Sequence, residues 1–281
     1  MDIIYGDVFK EHDTGAHPEN AKRLSLTLEY MKERGIKAVK PKNGEKYLHL
    51  AHNPEYIRHV KELCKNNQSF YIDPDTPAGG KSYEAACHAA GAVIQASEKN
   101  GFALVRPPGH HATRDRGMGF CIFNNLAIAA KKLSAKNRVF IFDFDVHHGN
   151  GTQDIVEGDD NILYVSIHQS PLYPGTGLMD KKNAVNIPMP PGTGDEEYIK
   201  VLENRVAHLL SEFNPDYVAV SAGFDGDIKD TGFVAGNSFK LTERSYEKIS
   251  TIFSDYRTFY SLEGGYNPES ILDGLRSIAK I

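Results

Sequence analysis

Five short runs along the chain are apolar without alternation: residues 102–105 (FALV), 139–142 (VFIF), 162–165 (ILYV), 217–220 (YVAV) and 259–262 (FYSL). A strand with one wet face alternates apolar and polar residues. Continuous apolar runs instead predict strands buried on both faces, as in a parallel sheet covered by helices. Between the runs the apolar period changes to that of a helix. Residues 18–34 place Ala21, Leu24, Leu28 and Met31 on one face, opening at Pro18 and stopping at Gly35. Residues 54–65 place Tyr56, Val60 and Leu63 on one face behind Asn53 as cap. Further helices are predicted over 83–99, 125–134, 196–213, 243–255 and 268–280, the last with Asn267 as cap and Pro268 at its first position. The Gly/Pro/Asp-rich stretches 168–194 and 223–241 are predicted as long surface loops. Strand and helix alternate from end to end, so the expected fold class is α/β, in one domain over residues 1–281.

Composition changes this picture little. Apolar residues are 40% and charged residues 25% of the 281, which fits a globular chain rather than a disordered or fibrous one. A net charge of −5 supplies no basic footprint for nucleic acid and no polybasic membrane face. Cys64, Cys87 and Cys121 are odd in number and far apart, which argues against a disulfide framework or a cysteine-rich zinc site. The opening MDIIYGDV has neither the basic nor the apolar region of a signal peptide, and no apolar run reaches a membrane-spanning ~18 residues. A cytoplasmic location is the expectation.

Unusual chemistry gathers where the apolar runs end. FALV leads into Arg106-Pro-Pro-Gly-His110-His111, and VFIF into Asp143-Phe-Asp145-Val-His147-His148-Gly-Asn150. YVAV leads into Ser221-Ala-Gly-Phe-Asp225, and FYSL into Glu263-Gly264-Gly265-Tyr266-Asn267. In an open parallel sheet the carboxyl ends of the strands form one edge, where ligands bind. These four clusters are therefore expected in one crevice. If the strand stays extended past Asp143, then Asp143, Asp145 and His147 share one side. Asp145 and His147 offer an oxygen and a nitrogen suited to zinc, and Asp225 is the natural third ligand. Three protein ligands leave a fourth position for water, as in a catalytic site. His148 then points away, towards packing or hydrogen bonding. The other histidines, including His12, His49, His52, His59, His88 and His208, read as surface or satisfied core residues. A lone Asp-x-His can merely cap a strand, and a tyrosine after two glycines is commonly a turn residue. The coincidence of four strand ends favours a site.

Taken in order, HPENAKRL, RPPGHH, GFCIFNN, DFDVHHGNG, YPGTG, SAGFD and LEGGYN resemble the motifs of the histone deacetylase family in its broad sense, with the class II branch the better match. The matches span residues 17–267. The resemblance implies the arginase/deacetylase fold, a parallel sheet of about eight strands between helix layers. It implies Asp145, His147 and Asp225 as zinc ligands, and a potassium ion near Asp143, Asp145, His147, Ser166 and Ile167. It implies His110 supported by Asp143, His111 supported by Asn150, and Tyr266 as the group that polarises the substrate carbonyl. Phe120 and Tyr173 match the aromatic walls of an acyl-chain tunnel. Asp75 matches a rim aspartate, and Gly119, Gly264 and Gly265 match substrate contacts.

The expected activity is zinc-dependent removal of acetyl groups from N-acetylated amines. Acetyl-lysine in proteins or peptides is preferred, and acetylpolyamines are the alternative. A polyamine specialist would carry an acidic gatekeeper at the tunnel mouth. The matching position here is Gly232, with Asp227 and Asp230 in the same loop as possible substitutes. Two remoter readings are a two-manganese ureohydrolase, for which Gly149 lacks the needed carboxylate although Asp227 could supply one, and an inactive acetyl-lysine binding module.

Overall fold

The computed structural model describes residues 1–66, 68–231 and 238–281. Among the described residues, seven strands form one parallel sheet: β1 (Ile3–Ile4), β4 (Phe102–Ala103), β5 (Val139–Asp143), β6 (Ile162–Gln169), β7 (Ala184–Met189), β8 (Tyr217–Ala222) and β9 (Thr258–Leu262). Their spatial order is β1-β4-β9-β8-β5-β6-β7, with every pairing parallel. A small antiparallel pair, β2 (Phe70–Tyr71) and β3 (Pro77–Ala78), lies outside the sheet. The expected α/β architecture and parallel sheet are both present.

The apolar runs lack alternation because each sheet face has its own core. Val139 and Ile141 of β5 face one cluster, with residues of α3 (Ser82–Lys99) and α4 (Asn125–Ser134). Phe140 and Phe142 face the other, with residues of α8 (Glu243–Ile252) and α9 (Pro268–Ala279). In α3, Gly91 packs so tightly that a Cβ there would fall 1.9 Å from the Lys42 carbonyl oxygen. Both faces are thus sealed by helices, and chemistry is left to the strand ends.

Several boundaries differ from expectation. The stretch 18–34 opens as a 3-10 turn at Ala21–Leu24 before α1 (Ser25–Glu33). Helix α2 (Pro54–Leu63) follows Asn53, but the Asn53 side chain bonds Asp115 instead of capping it. The segment 196–213 is α6 (Asp195–Val201) and α7 (Ala207–Phe213), joined by a π-helical turn at Leu202–Val206. The predicted loop 168–194 contains strand β7, hidden because exposed Pro188 and the buried but polar Asn186 interrupt its apolar pattern. Helix α5 (Asn150–Val156) is too short for a clear period. Gly232 lies outside the described residues.

Candidate metal centre and tunnel

Strand β5 ends at Asp143, so the condition of an extended strand out to His147 is not met. The next residues turn over the sheet edge, held by their own carboxylates. Asp143 Oδ1 accepts the Asp145 N–H at 3.2 Å, and Asp145 Oδ1 accepts the His147 N–H at 2.9 Å. Asp225, just beyond β8, accepts the Val146 N–H at 3.1 Å through Oδ1. The result still gathers the three predicted ligands. Ligating atoms of Asp145, His147 and Asp225 lie within 4.8 Å of one another, all buried.

His147 Nδ1 sits 3.1 Å from Asp145 Oδ1 and 3.0 Å from Asp225 Oδ2. One ring nitrogen can present a single proton to two carboxylates, so this arrangement is under-satisfied as a hydrogen-bond set. It suits a cation that replaces the proton and takes all three donors, and the nitrogen and oxygen donors fit a zinc-like dication. Burial opposes ionisation of Asp145, but His110 and His147 outweigh it and hold its carboxyl below the ordinary range. Burial and the neighbouring Asp145 push Asp225 up to about 6.

Glycines let the backbone approach this set. A Cβ on Gly264 would stand 2.2 Å from Asp225 Oδ2 and 2.5 Å from Asp145 Oδ2, while the Gly264 N–H donates to Asp145 Oδ2 at 2.8 Å. A Cβ on Gly149 would stand 2.2 Å from Asp143 Oδ2. Gly264 therefore makes room for the ligands.

Beside the donors lies a cavity of about 140 Å³, lined by Asp75, His111, Gly119, Phe120, His147, Tyr173 and Tyr266. Gly264 and Gly265 are not among its lining residues. Phe120 and Tyr266 meet edge-on at 5.7 Å, and Tyr173 stands edge-on to His111 at 5.1 Å. Phe120 has φ +70°, a left-handed conformation unusual for a bulky side chain. Its N–H donates to Thr76 Oγ1 at 3.0 Å, and the Gly119 N–H donates to Asp75 Oδ1 at 3.1 Å. One Asp75 oxygen is thus bound to the cavity wall. Burial, then Asp73, pushes Asp75 up to about 6.

His110 Nδ1 faces Asp143 Oδ2 at 3.2 Å, and Tyr164 donates its hydroxyl to the same oxygen at 3.1 Å. Burial opposes protonation of His110, but Asp145 and Asp143 outweigh it and push its pKa up to about 10. His111 Nδ1 faces Asn150 Oδ1 at 2.8 Å. Burial, His110 and His147 together drive His111 well below the usual imidazole range. The two adjacent histidines are thus driven apart in basicity. His148 turns away, bonding Thr176 and Gln153. Ser166 pairs with Asp143 across β5 and β6, and its hydroxyl bonds His168 Nδ1 at 2.9 Å, with Ile167 between them on the strand.

Several supporting residues escaped the sequence. Glu263 accepts the Gly109 and His110 N–H groups at 2.7 and 3.0 Å, below the histidine pair. Glu19 is fully buried between Arg106 and Arg23, and Arg23 donates to the carbonyls of Glu263 and Gly265. His17 stacks edge-on to Phe120 at 4.4 Å. Asp227 and Asp230, named above as substitutes for an acidic gatekeeper, are 4% and 1% exposed, so their carboxylates are buried rather than presented to solvent. Asp230 instead accepts the N–H groups of Tyr266 and Asn267. A charged residue directly after a fully apolar run marks Arg106, and the i,i+4 spacing hints at Glu19 with Arg23. No local signal marks this role of Asp230.

The chain matches the model of the histone deacetylase domain over residues 17–281. It is 35% identical over 300 residues to a probable deacetylase of Archaeoglobus fulgidus, covering 96% of this chain and 82% of that protein. It is 34% identical to histone deacetylase 15 of Arabidopsis thaliana, covering 94% of this chain and 52% of that longer protein. The crystal structure of the HDA15 HD domain superposes with a TM-score of 0.92 at 32% identity, covering 99% of this chain and 87% of that one. With the motifs, the parallel sheet and the clustered donors in agreement, the chain belongs to the histone deacetylase family.

Proposed function

We propose that the protein hydrolyses an N-acetyl amide to acetate and an amine, with zinc held by Asp145, His147 and Asp225. The observation that carries this reading is the convergence of three buried donors beside a cavity that also presents His111 and Tyr266. When bound, the metal supplies Lewis acidity and lowers the pKa of water towards ~7.

The other steps belong to this chain's residues. Asn150 accepts the Nδ1 proton of His111, which leaves Nε2 with the free lone pair. The depressed basicity of His111 keeps it neutral and ready to take a proton from the attacking water. It then returns that proton to the amine nitrogen as the carbon–nitrogen bond breaks. Asn150 is uncharged, so the transient imidazolium gains less support than a carboxylate would give. His110, held by Asp143, assists electrostatically, and the Tyr266 hydroxyl donates to the developing oxyanion. Phe120 and Tyr173 form the walls that hold the acyl-bearing side chain. Potassium near Asp143, Asp145, His147, Ser166 and Ile167 would be structural.

Acetyl-lysine in peptides or proteins is the preferred substrate over acetylpolyamines. Burial of Asp227 and Asp230 removes the two loop carboxylates considered as acidic gatekeepers. Comparing kcat/KM for an acetyl-lysine peptide and for N8-acetylspermidine tests this. A preference of ~100-fold for the polyamine, about 2.7 kcal/mol, would overturn it. Elemental analysis should give one zinc per chain, and a chelator should abolish turnover. Two transition metals per chain would favour the dinuclear alternative.

A further inference from the structure

The turn that carries Tyr266 is gripped from two sides by buried charge. Arg23 donates to the carbonyl oxygens of Glu263 and Gly265, and its guanidinium carbon lies 4.9 Å from the centre of the Tyr266 ring. Asp230 grips the other polarity: its Oδ2 accepts the N–H of Tyr266 at 2.5 Å and of Asn267 at 2.9 Å, and the hydroxyl of Ser270 at 3.0 Å. An acidic residue before a helix usually serves the helix. Here α9 already has its cap, since Asn267 Oδ1 accepts the Glu269 N–H at 3.0 Å. The two backbone groups that Asp230 takes lie upstream of the first helical turn.

Resting on the reading of Tyr266 as the carbonyl-polarising group, we propose that Asp230 is a positioning residue that fixes the backbone from which the Tyr266 phenol projects. Gly264 and Gly265 precede Tyr266 and supply no side chain to hold it, and Gly265 adopts φ +114°. A turn built from two glycines has much conformational freedom. The Asp230 carboxylate removes that freedom at the residue whose hydroxyl must meet the oxyanion. Misplacement of a reacting group by about 1 Å costs ~100-fold in rate.

A double-mutant cycle tests this, with kcat, KM, metal content and melting temperature measured for Asp230→Ala, Tyr266→Phe and the pair. Tyr266→Phe should lower kcat by ~100–1,000-fold. Asp230→Ala should lower kcat by ~10–100-fold with KM and metal content near wild type. In the Tyr266→Phe background it should cost less than about 3-fold, because there is no hydroxyl left to misplace. Asp230→Asn, whose amide oxygen can still accept both N–H groups, should recover most of the rate. Equal losses in both backgrounds, or wild-type kcat in Asp230→Ala, would overturn the proposal. Near-normal turnover in Tyr266→Phe would instead remove the reading of Tyr266 on which it rests. Should Asp230→Ala fail to fold, Ser270→Ala removes one hydrogen bond to the same oxygen and enters the same cycle. A loss of ~2–5-fold confined to the Tyr266 background is then expected, and its absence would refute the idea.

Discussion

Replacing Gly264 by alanine should abolish metal binding at the proposed Asp145–His147–Asp225 centre while leaving the protein folded. The added methyl would stand 2.2 Å from Asp225 Oδ2 and 2.5 Å from Asp145 Oδ2, against an ordinary contact of 3.4 Å or more. One or both oxygens must therefore retreat by roughly 1 Å, several times the ±0.2 Å that a metal–ligand distance tolerates. Overpacking of this kind costs ~1–3 kcal/mol, and at this chain length each kcal/mol lowers the melting temperature by about 2–4 °C. A drop of a few degrees is thus expected beside near-complete loss of metal. Elemental analysis after dialysis, calorimetry and turnover on one preparation would measure all three. Gly79→Ala is the control, since a Cβ there meets nothing within 4 Å. A Gly264→Ala protein that keeps stoichiometric metal and normal turnover would refute the argument that this glycine exists to admit the two carboxylates.

Thr76→Val should raise KM more than it lowers kcat, because the Phe120 N–H loses its acceptor and the strained wall relaxes; Thr76→Ser should restore KM, and an unchanged KM in Thr76→Val would contradict the role. Burial raises the Glu19 carboxyl, but Arg106, His12 and Arg23 outweigh it and hold it well below the ordinary range. Stability from this ion pair should be fully present above pH ~4.5 and fade as pH falls through the depressed value. Glu19→Gln should therefore lose ~3–5 kcal/mol at pH 7, and the gap should narrow in melting curves taken below pH ~4.5; a pH-independent gap would count against it. His148→Ala should lower stability by ~1–3 kcal/mol through its bonds to Thr176 and Gln153, with kcat within about 2-fold of wild type.

The strands at 139–142 and 217–220 were legible because burial on both faces leaves a continuous apolar run. The donors were legible because they follow those runs directly. Strand β7 was not, because an edge strand carrying Asn186 and Pro188 lacks that run. The geometry after Asp143 was also hidden. Spacing placed Asp145 and His147 on one side by assuming an extended chain, whereas the structure achieves the same convergence with a turn stapled by its own carboxylates. The roles of Asp230 and Thr76 were hidden for a different reason. Each acts on backbone N–H groups of residues more than 30 positions away, and backbone groups carry no sequence signature.

Strand β9 is the last described strand in chain order, yet it lies inside the sheet between β4 and β8. During synthesis, the β1–β4 pair and the β8-β5-β6-β7 set must wait for it with facing edges unpaired. Exposed parallel edges of this kind are slow to close and prone to pair with other chains. Asp145, His147 and Asp225 are all made before the Gly264 N–H that fixes Asp145 Oδ2. A nascent chain therefore carries the donors, already stapled to one another through Asp143, Asp145 and Asp225, before the last backbone donor to Asp145 Oδ2 exists. Completion of the carboxyl-terminal strand adds the Gly264 N–H and Tyr266 to donors that stand at the ends of β5 and β8, and premature termination ahead of β9 would leave two sheet fragments with that wall of the cavity missing.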